Sequence, residues 1–178
     1  MNKIFCTITL FSIFLASSVF AEEDNISKWR EWITAQQSYL GRVESLMEMS
    51  KKLAVKQNSQ LEEAIKKSDS ELGEEALADT TKKLSSIVDL LKALEPPAEF
   101  KDYHENVVKA YVYRLQANEA TLKKDVINIR NHTHAAMMSE IAAMESIKEL
   151  YIIHDAPSQI IDSIDRNIEA YKKRLVAN

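Results

Sequence analysis

Only two glycines and three prolines punctuate the 178 residues, and this scarcity constrains the fold more than any other feature: a chain with so few places to turn must run in long elements. Gly41 and Gly73 stand alone, and the prolines fall at Pro96, Pro97 and Pro157. The segments between them are rich in Ala, Leu, Lys, Glu and Gln, which are strong helix formers. No stretch alternates apolar and polar residues between turn signals, so no strand is assigned. The expected class is all-α, an elongated antiparallel bundle of four main helices, with the first and third long and open to bending or splitting.

Apolar residues recur at three- and four-residue spacing in each segment. The first helix opens near Asp24 or Asn25 and carries Trp29, Ile33, Leu40, Val43, Met47, Ala54, Leu61 and Ile65 on its seam, running to about Lys67. Gly41 or the polar patch Gln57–Gln60 is where it would bend. Ser68 and Glu71 have the spacing of a capping box that starts the second helix. Its stripe is Leu72, Ala76, Thr80, Leu84, Ile87, Leu91 and Leu94, and Pro96–Pro97 stops it. Pro97 suits the first position of the third helix, where a missing N–H costs nothing. That helix carries Phe100, Tyr103 or His104, Val107, Tyr111, Leu115, Leu122, Val126, Ile129, Ala136, Ile141, Met144 and Ile147. A break between Asn118 and Asn131 would keep it from outrunning its partners. The fourth begins around Pro157 with Asp155 as its cap and buries Ile160, Ile161, Ile164, Ile168, Tyr171 and Leu175. Short connections make successive helices antiparallel neighbours. The seams also suit an extended coiled coil, but Gln36, Ser50, Gln57 and Asn118 interrupt them and steady charge pairing is missing, so a monomer is favoured over a homodimer.

The N-terminus reads as a cleavable export signal. Lys3 supplies the positive charge, Ile4–Phe14 the apolar stretch and Ser17–Ala21 the short residues before the cut. Residues 1–21 are therefore the signal and 22–178 a single helical domain, expected in the periplasm. Cleavage removes one Lys and no acid, leaving 22 basic against 27 acidic residues, a net of about −5. That sign gives no drive toward nucleic acid. The helices are too amphipathic for stable membrane insertion after cleavage. Cys6, the only cysteine, leaves with the signal, so disulfides and thiolate chemistry are excluded from the mature chain.

Candidate chemistry is sparse. His134 and Met138 lie four apart and share a helix face, a pair of soft-metal ligands that needs a third from another helix. His132 points away from them. His104, beside Asp102 and Glu105, has no nucleophile in a recognisable arrangement and is expected to hydrogen-bond near the proline turn. No Glu-x-x-His pair for a di-metal site occurs. Trp29 and Trp32, at i and i+3, share a face beside the mature N-terminus, where they seal the bundle or anchor a partner.

The run from Pro97 to His104 (PAEFKDYH) is similar in outline to the loop and third helix of the soluble b-type bundle cytochromes. That resemblance would imply a haem held by a methionine at the start of the first helix and a histidine in the last. Here the first mature methionine is Met47 and no histidine follows Pro157, so both axial ligands are missing and haem is not carried over. The expectation is a non-enzymatic binding or interaction protein without a cofactor, its partner another protein. The alternative is a periplasmic transition-metal or cofactor binding protein.

Overall fold

The structure, a computed structural model, describes residues 23–177, with side chains from 26 to 176. The expected export signal, Lys3 to Ala21 with Cys6, lies outside the described residues. Five α-helices and one short turn of 3-10 helix follow in order: α1 (Glu23–Lys67), α2 (Ser70–Lys92), the 3-10 turn (Ala98–Phe100), α3 (Lys101–Leu122), α4 (Val126–Ile153) and α5 (Ser158–Ala177). No strand occurs among the described residues. The all-α class is as expected, but the long third helix divides at Lys123–Asp125 into α3 and α4.

Three helix ends share one device that contains no glycine. Ser68, Lys124 and Asp155 adopt φ of 54°, 58° and 57°. Each is the left-handed residue of a Schellman motif. After α1, the Asp69 N–H donates to Ala64 O at 2.9 Å and the Ser68 N–H to Ile65 O at 3.2 Å. The same pair recurs after α3, with Asp125 to Ala120 at 2.9 Å and Lys124 to Thr121 at 3.0 Å, and after α4, with Ala156 to Tyr151 at 2.8 Å and Asp155 to Ile152 at 3.2 Å. At the first two ends the next residue caps the following helix. Asp69 Oδ1 accepts from the Leu72 N–H at 3.0 Å, and Asp125 Oδ1 from the Asn128 N–H at 3.1 Å.

These details correct three expectations. The cap of α2 is Asp69, because Ser68 is committed to ending α1. Asp155 likewise ends α4 and does not cap α5, where Pro157 O accepts from the Ile160 N–H at 2.9 Å. Pro97 precedes α3 by one 3-10 turn: its extended backbone (φ −54°, ψ 149°) leads into Ala98–Phe100, and its carbonyl accepts from the Phe100 N–H at 2.9 Å. α1 passes through Gly41 unbroken, a residue that faces open space.

Burial follows the seams except at the far end. Trp29, Ile33, Leu40 and Val43 are buried, Met47, Ala54 and Leu61 are half-buried, and Ile65 is exposed. On the expected third helix, Phe100 to Tyr111 and Ala136 to Ile147 enter the core, whereas Leu122 and Val126 are exposed because they flank the break. The interrupting residues Ser50 and Gln57 are buried too; they continue the three-four seam with polar side chains.

Side-chain size sets how closely helices approach. Ala110, Ala120, Ala136 and Ala143 are buried where α3 and α4 run side by side. A Cβ at Gly73 would lie 3.6 Å from the Ala64 Cβ, so α1 and α2 are close there as well. Among the described residues, no Cα of α1 comes within 8 Å of α3 or α4. Large rings span that wider gap.

A left-handed conformation strains a residue with a Cβ by about 1 kcal/mol, and glycine removes the strain. Lys124 is exposed and its ion pair with Glu74 at 3.2 Å is too, so losing that pair costs little. Ser68→Gly and Lys124→Gly should each raise stability by about 0.5–1 kcal/mol. The expected sign is a higher urea midpoint at unchanged m-value; a lower midpoint would contradict this account of the turns.

Candidate functional site at the aromatic end

The functional candidates concentrate where α1 begins, because the gap between α1 and the α3–α4 pair is filled there by aromatic rings. α1 contributes Trp29, Trp32 and Tyr39. The proline connection contributes Glu99 and Phe100, α3 Tyr103 and His104, and the end of α4 Tyr151 and His154. Trp29 is buried, edge-on to Tyr151 at 4.8 Å and 72°. Phe100 is fully buried between Tyr39 at 5.4 Å and Tyr103 at 6.3 Å. A single 3-10 turn turns Phe100 inward and leaves Glu99 at the surface.

Trp32 is half-buried and is held by rings and by a carboxylate. Its indole lies parallel to the His154 imidazole, with centroids 4.0 Å apart and planes at 14°, and parallel to Phe100 at 5.6 Å and 12°. The indole N–H donates to Glu99 Oε1 at 3.0 Å, and His154 Nε2 lies 3.1 Å from Glu99 Oε2. An ionised carboxylate only accepts, so Nε2 of His154 carries the proton. One carboxylate thus joins α1, the proline connection and the α4–α5 turn.

His104 is buried, and its partner is Tyr39 across the bundle, not the proline turn as the sequence suggests: the Tyr39 hydroxyl lies 3.1 Å from Nδ1. Burial pushes His104 below the ordinary histidine value, against a smaller opposing pull from Glu105. Burial also raises the Tyr39, Tyr103 and Tyr151 hydroxyls well above the usual range. These groups are neutral at physiological pH and serve as hydrogen-bonding rings.

A second polar cluster sits at mid-bundle. Glu140 is buried in α4 and ion-paired with Arg114 of α3, and Tyr171 of α5 lies beside the same carboxylate. Arg114 also covers the Tyr111 ring, 5.1 Å from its centroid, and Tyr111 is hydrogen-bonded to Ser50 of α1. Desolvation raises Glu140 from its ordinary value, with Arg114 opposing; the arginine itself is driven further up by the carboxylate despite its own desolvation. This cluster joins four helices. Sequence reading passed over it, although Glu140 falls on the buried stripe with Ala136, Met144 and Ile147, a placement periodicity could have supplied.

The metal candidates are placed differently. His134 and Met138 are both exposed on the outer face of α4, and His132 lies against Tyr113 with centroids 6.3 Å apart. Met137 and Met144 are buried in the core. Among the described residues, no three or more His, Cys, Asp or Glu side chains gather as a metal site. Among those same residues, no helix is long and apolar enough to cross a membrane. Compared with protein families, characterised proteins and solved structures, the chain finds no match in any of the three.

Two predictions follow from these partners. Because folding lowers the proton affinity of His104, the unfolded chain takes up a proton that the folded chain refuses. Its contribution to stability is therefore complete above about pH 6.5 and is lost as pH falls toward the folded value. In His104→Asn the amide oxygen replaces Nδ1 as acceptor without titrating. The wild type should lose stability relative to this variant between pH 7 and 5, and parallel profiles would refute the assignment. At mid-bundle, Glu140→Leu should cost about 2–3 kcal/mol, the low side for a broken buried pair because Arg114 retains some solvent. Adding Arg114→Met should recover most of that loss in urea titrations, whereas additive losses would mean that the two side chains act independently.

Proposed function

We propose that the mature chain is an exported, non-enzymatic helical-bundle protein that binds another protein through its aromatic end. The observation that carries this reading is the half-exposed Trp32–Glu99–His154 group with two exposed aliphatic side chains next to it, Ile152 at 53% and Ile153 at 70% exposure. Rigid aromatic anchors beside apolar surface and satisfied polar groups are the composition of binding hot spots. Behind that surface the rings are fixed by packing, so little side-chain entropy remains to be lost when a partner arrives.

The finer architecture belongs to the same proposal. Cross-ties place Ser50 level with Tyr111, Arg114 with Glu140, and Glu140 with Tyr171. We infer an antiparallel arrangement in which α1, α3 and α4 run the length of the bundle. α2 supplies a fourth helix toward one end and α5 toward the aromatic end.

The second reading, a soft-metal binding protein, is favoured by one observation: His134 and Met138 stand one turn apart with both side chains open to solvent. A single experiment separates the two. A photo-crosslinking residue at Ile153 should give one discrete adduct in exporting cells, while the same residue at Lys82, on the outer face of α2, gives none. Ile152→Ser/Ile153→Ser should reduce the adduct, trapped from a probe at Lys28, at least fivefold without changing the melting temperature. Equal adducts from both positions would refute the surface assignment. Stoichiometric copper in the purified protein, lost in His134→Ala/Met138→Ala, would establish the second reading instead.

A further inference from the structure

We propose that Glu99, Trp32 and His154 form a proton-operated clasp, which tightens when His154 is protonated and ties the α2–α3 connection and α1 to the α4–α5 turn. The geometry supplies three effects of one sign. The Nε2–H of His154 already points at Glu99 Oε2, 3.1 Å away, so a second proton on the ring turns a neutral hydrogen bond into a charge-assisted one. The ring lies 4.0 Å from the Trp32 ring, nearly parallel, and the electron-rich indole face attracts an imidazolium. His154 is the C-cap of α4, with its own N–H turned back to Leu150 O and Ile152 O, where the helix dipole favours a cation.

The surrounding charges do not reverse that balance. Glu99 is the carboxylate within 4.0 Å of His154 among the described residues. Lys28 lies one turn before Trp32 on α1. Lys101 and Asp102 open α3, Asp155 follows the histidine, and Asp162 lies on the first turns of α5. With side-chain exposures of 28% for His154 and 33% for Glu99, solvent screens the pair and the effect is a few-fold, not orders of magnitude. His104, at the same end, answers acid in the opposite direction through its burial, so the two histidines must be read separately.

The clasp adds polar ties to segments that Phe100 and Tyr151 already anchor by packing. Among the described residues, Glu99 makes the side-chain hydrogen bonds of the 3-10 turn, to Trp32 and His154. The α4–α5 turn is carried by left-handed Asp155. Histidine changes charge between about pH 5 and 8, so mild acid should close this end and mild alkali loosen it. The inference concerns the clasp itself and stands whether or not the surface meets a partner.

The test follows the indole. In Trp29→Phe, emission reports Trp32 alone, and an imidazolium stacked on the ring quenches it. Emission should fall between pH 8 and 5, and the fall should disappear in Trp29→Phe/His154→Gln but persist in Trp29→Phe/His104→Asn. In Trp29→Phe/Glu99→Gln it should move to lower pH, by about a threefold change in proton concentration, the screened ion-pair scale. Should Trp29→Phe disturb the fold, fluorotryptophan in the otherwise native chain reports the same transition by 19F NMR. Amide exchange at residues 98–100 and 154–156, corrected for intrinsic rates, should slow about threefold at pH 5.5 relative to pH 7.5 in the native chain but not in Glu99→Gln. Trp32 emission that ignores pH, or a transition that Glu99→Gln leaves in place, overturns the proposal.

Discussion

The spacing between α1 and the α3–α4 pair governs this structure. Alanines let α3 and α4 run close together, while no α1 Cα lies within 8 Å of either helix among the described residues. The wider gap must be filled by long side chains, and toward the start of α1 it is filled by Trp29, Tyr39, Phe100, Tyr103 and Tyr151. Rings with polar tips then need partners, because an unpaired buried hydroxyl or N–H costs about 1–3 kcal/mol. His104 beneath Tyr39 and Glu99 beside Trp32 meet that need. The concentration of chemistry at this end is thus a consequence of packing before it is a matter of function.

At mid-bundle the same logic reaches a different solution. Removing the Glu140 charge from water is expensive, and Arg114 and Tyr171 offset the cost only while α3, α4 and α5 hold their register. Leucine and methionine could fill that volume without needing an ion pair. What the pair adds is directionality: a carboxylate of α4 paired with an arginine of α3 resists sliding, whereas an apolar seam tolerates it.

Much of the fold was legible in the sequence. The absence of Gly and Pro from long segments indicated helices, and three-four spacing identified most of the core from Trp29 to Tyr171. The division between α3 and α4 could be expected only from length, as a break somewhere between Asn118 and Asn131, because the residue that ends α3 is Lys124 and not a glycine. The capping error at Ser68 has the same origin: side-chain chemistry allows a serine to cap, but the left-handed backbone that Ser68 adopts depends on how α1 meets α2. Of the candidate site, Trp29 and Trp32 could be found from their spacing. Glu99 and His154 could not, since residues 55 apart meet only after the bundle closes, and the hydrogen bond from Tyr39 to His104 spans 65 positions.

Two histidines at the aromatic end therefore answer acid in opposite senses for one physical reason, the identity of the group each ring faces. His104 faces a hydroxyl in a dry interior, which can satisfy a neutral ring but cannot stabilise a charged one. His154 faces a carboxylate, an indole and a helix C-terminus at the surface, all of which favour charge. Burial and partner, rather than residue type, set the sign, so exchanging the two environments would exchange the two behaviours. The interior histidine makes global folding sensitive to acid, while the surface histidine makes one end of the bundle firmer as the interior weakens.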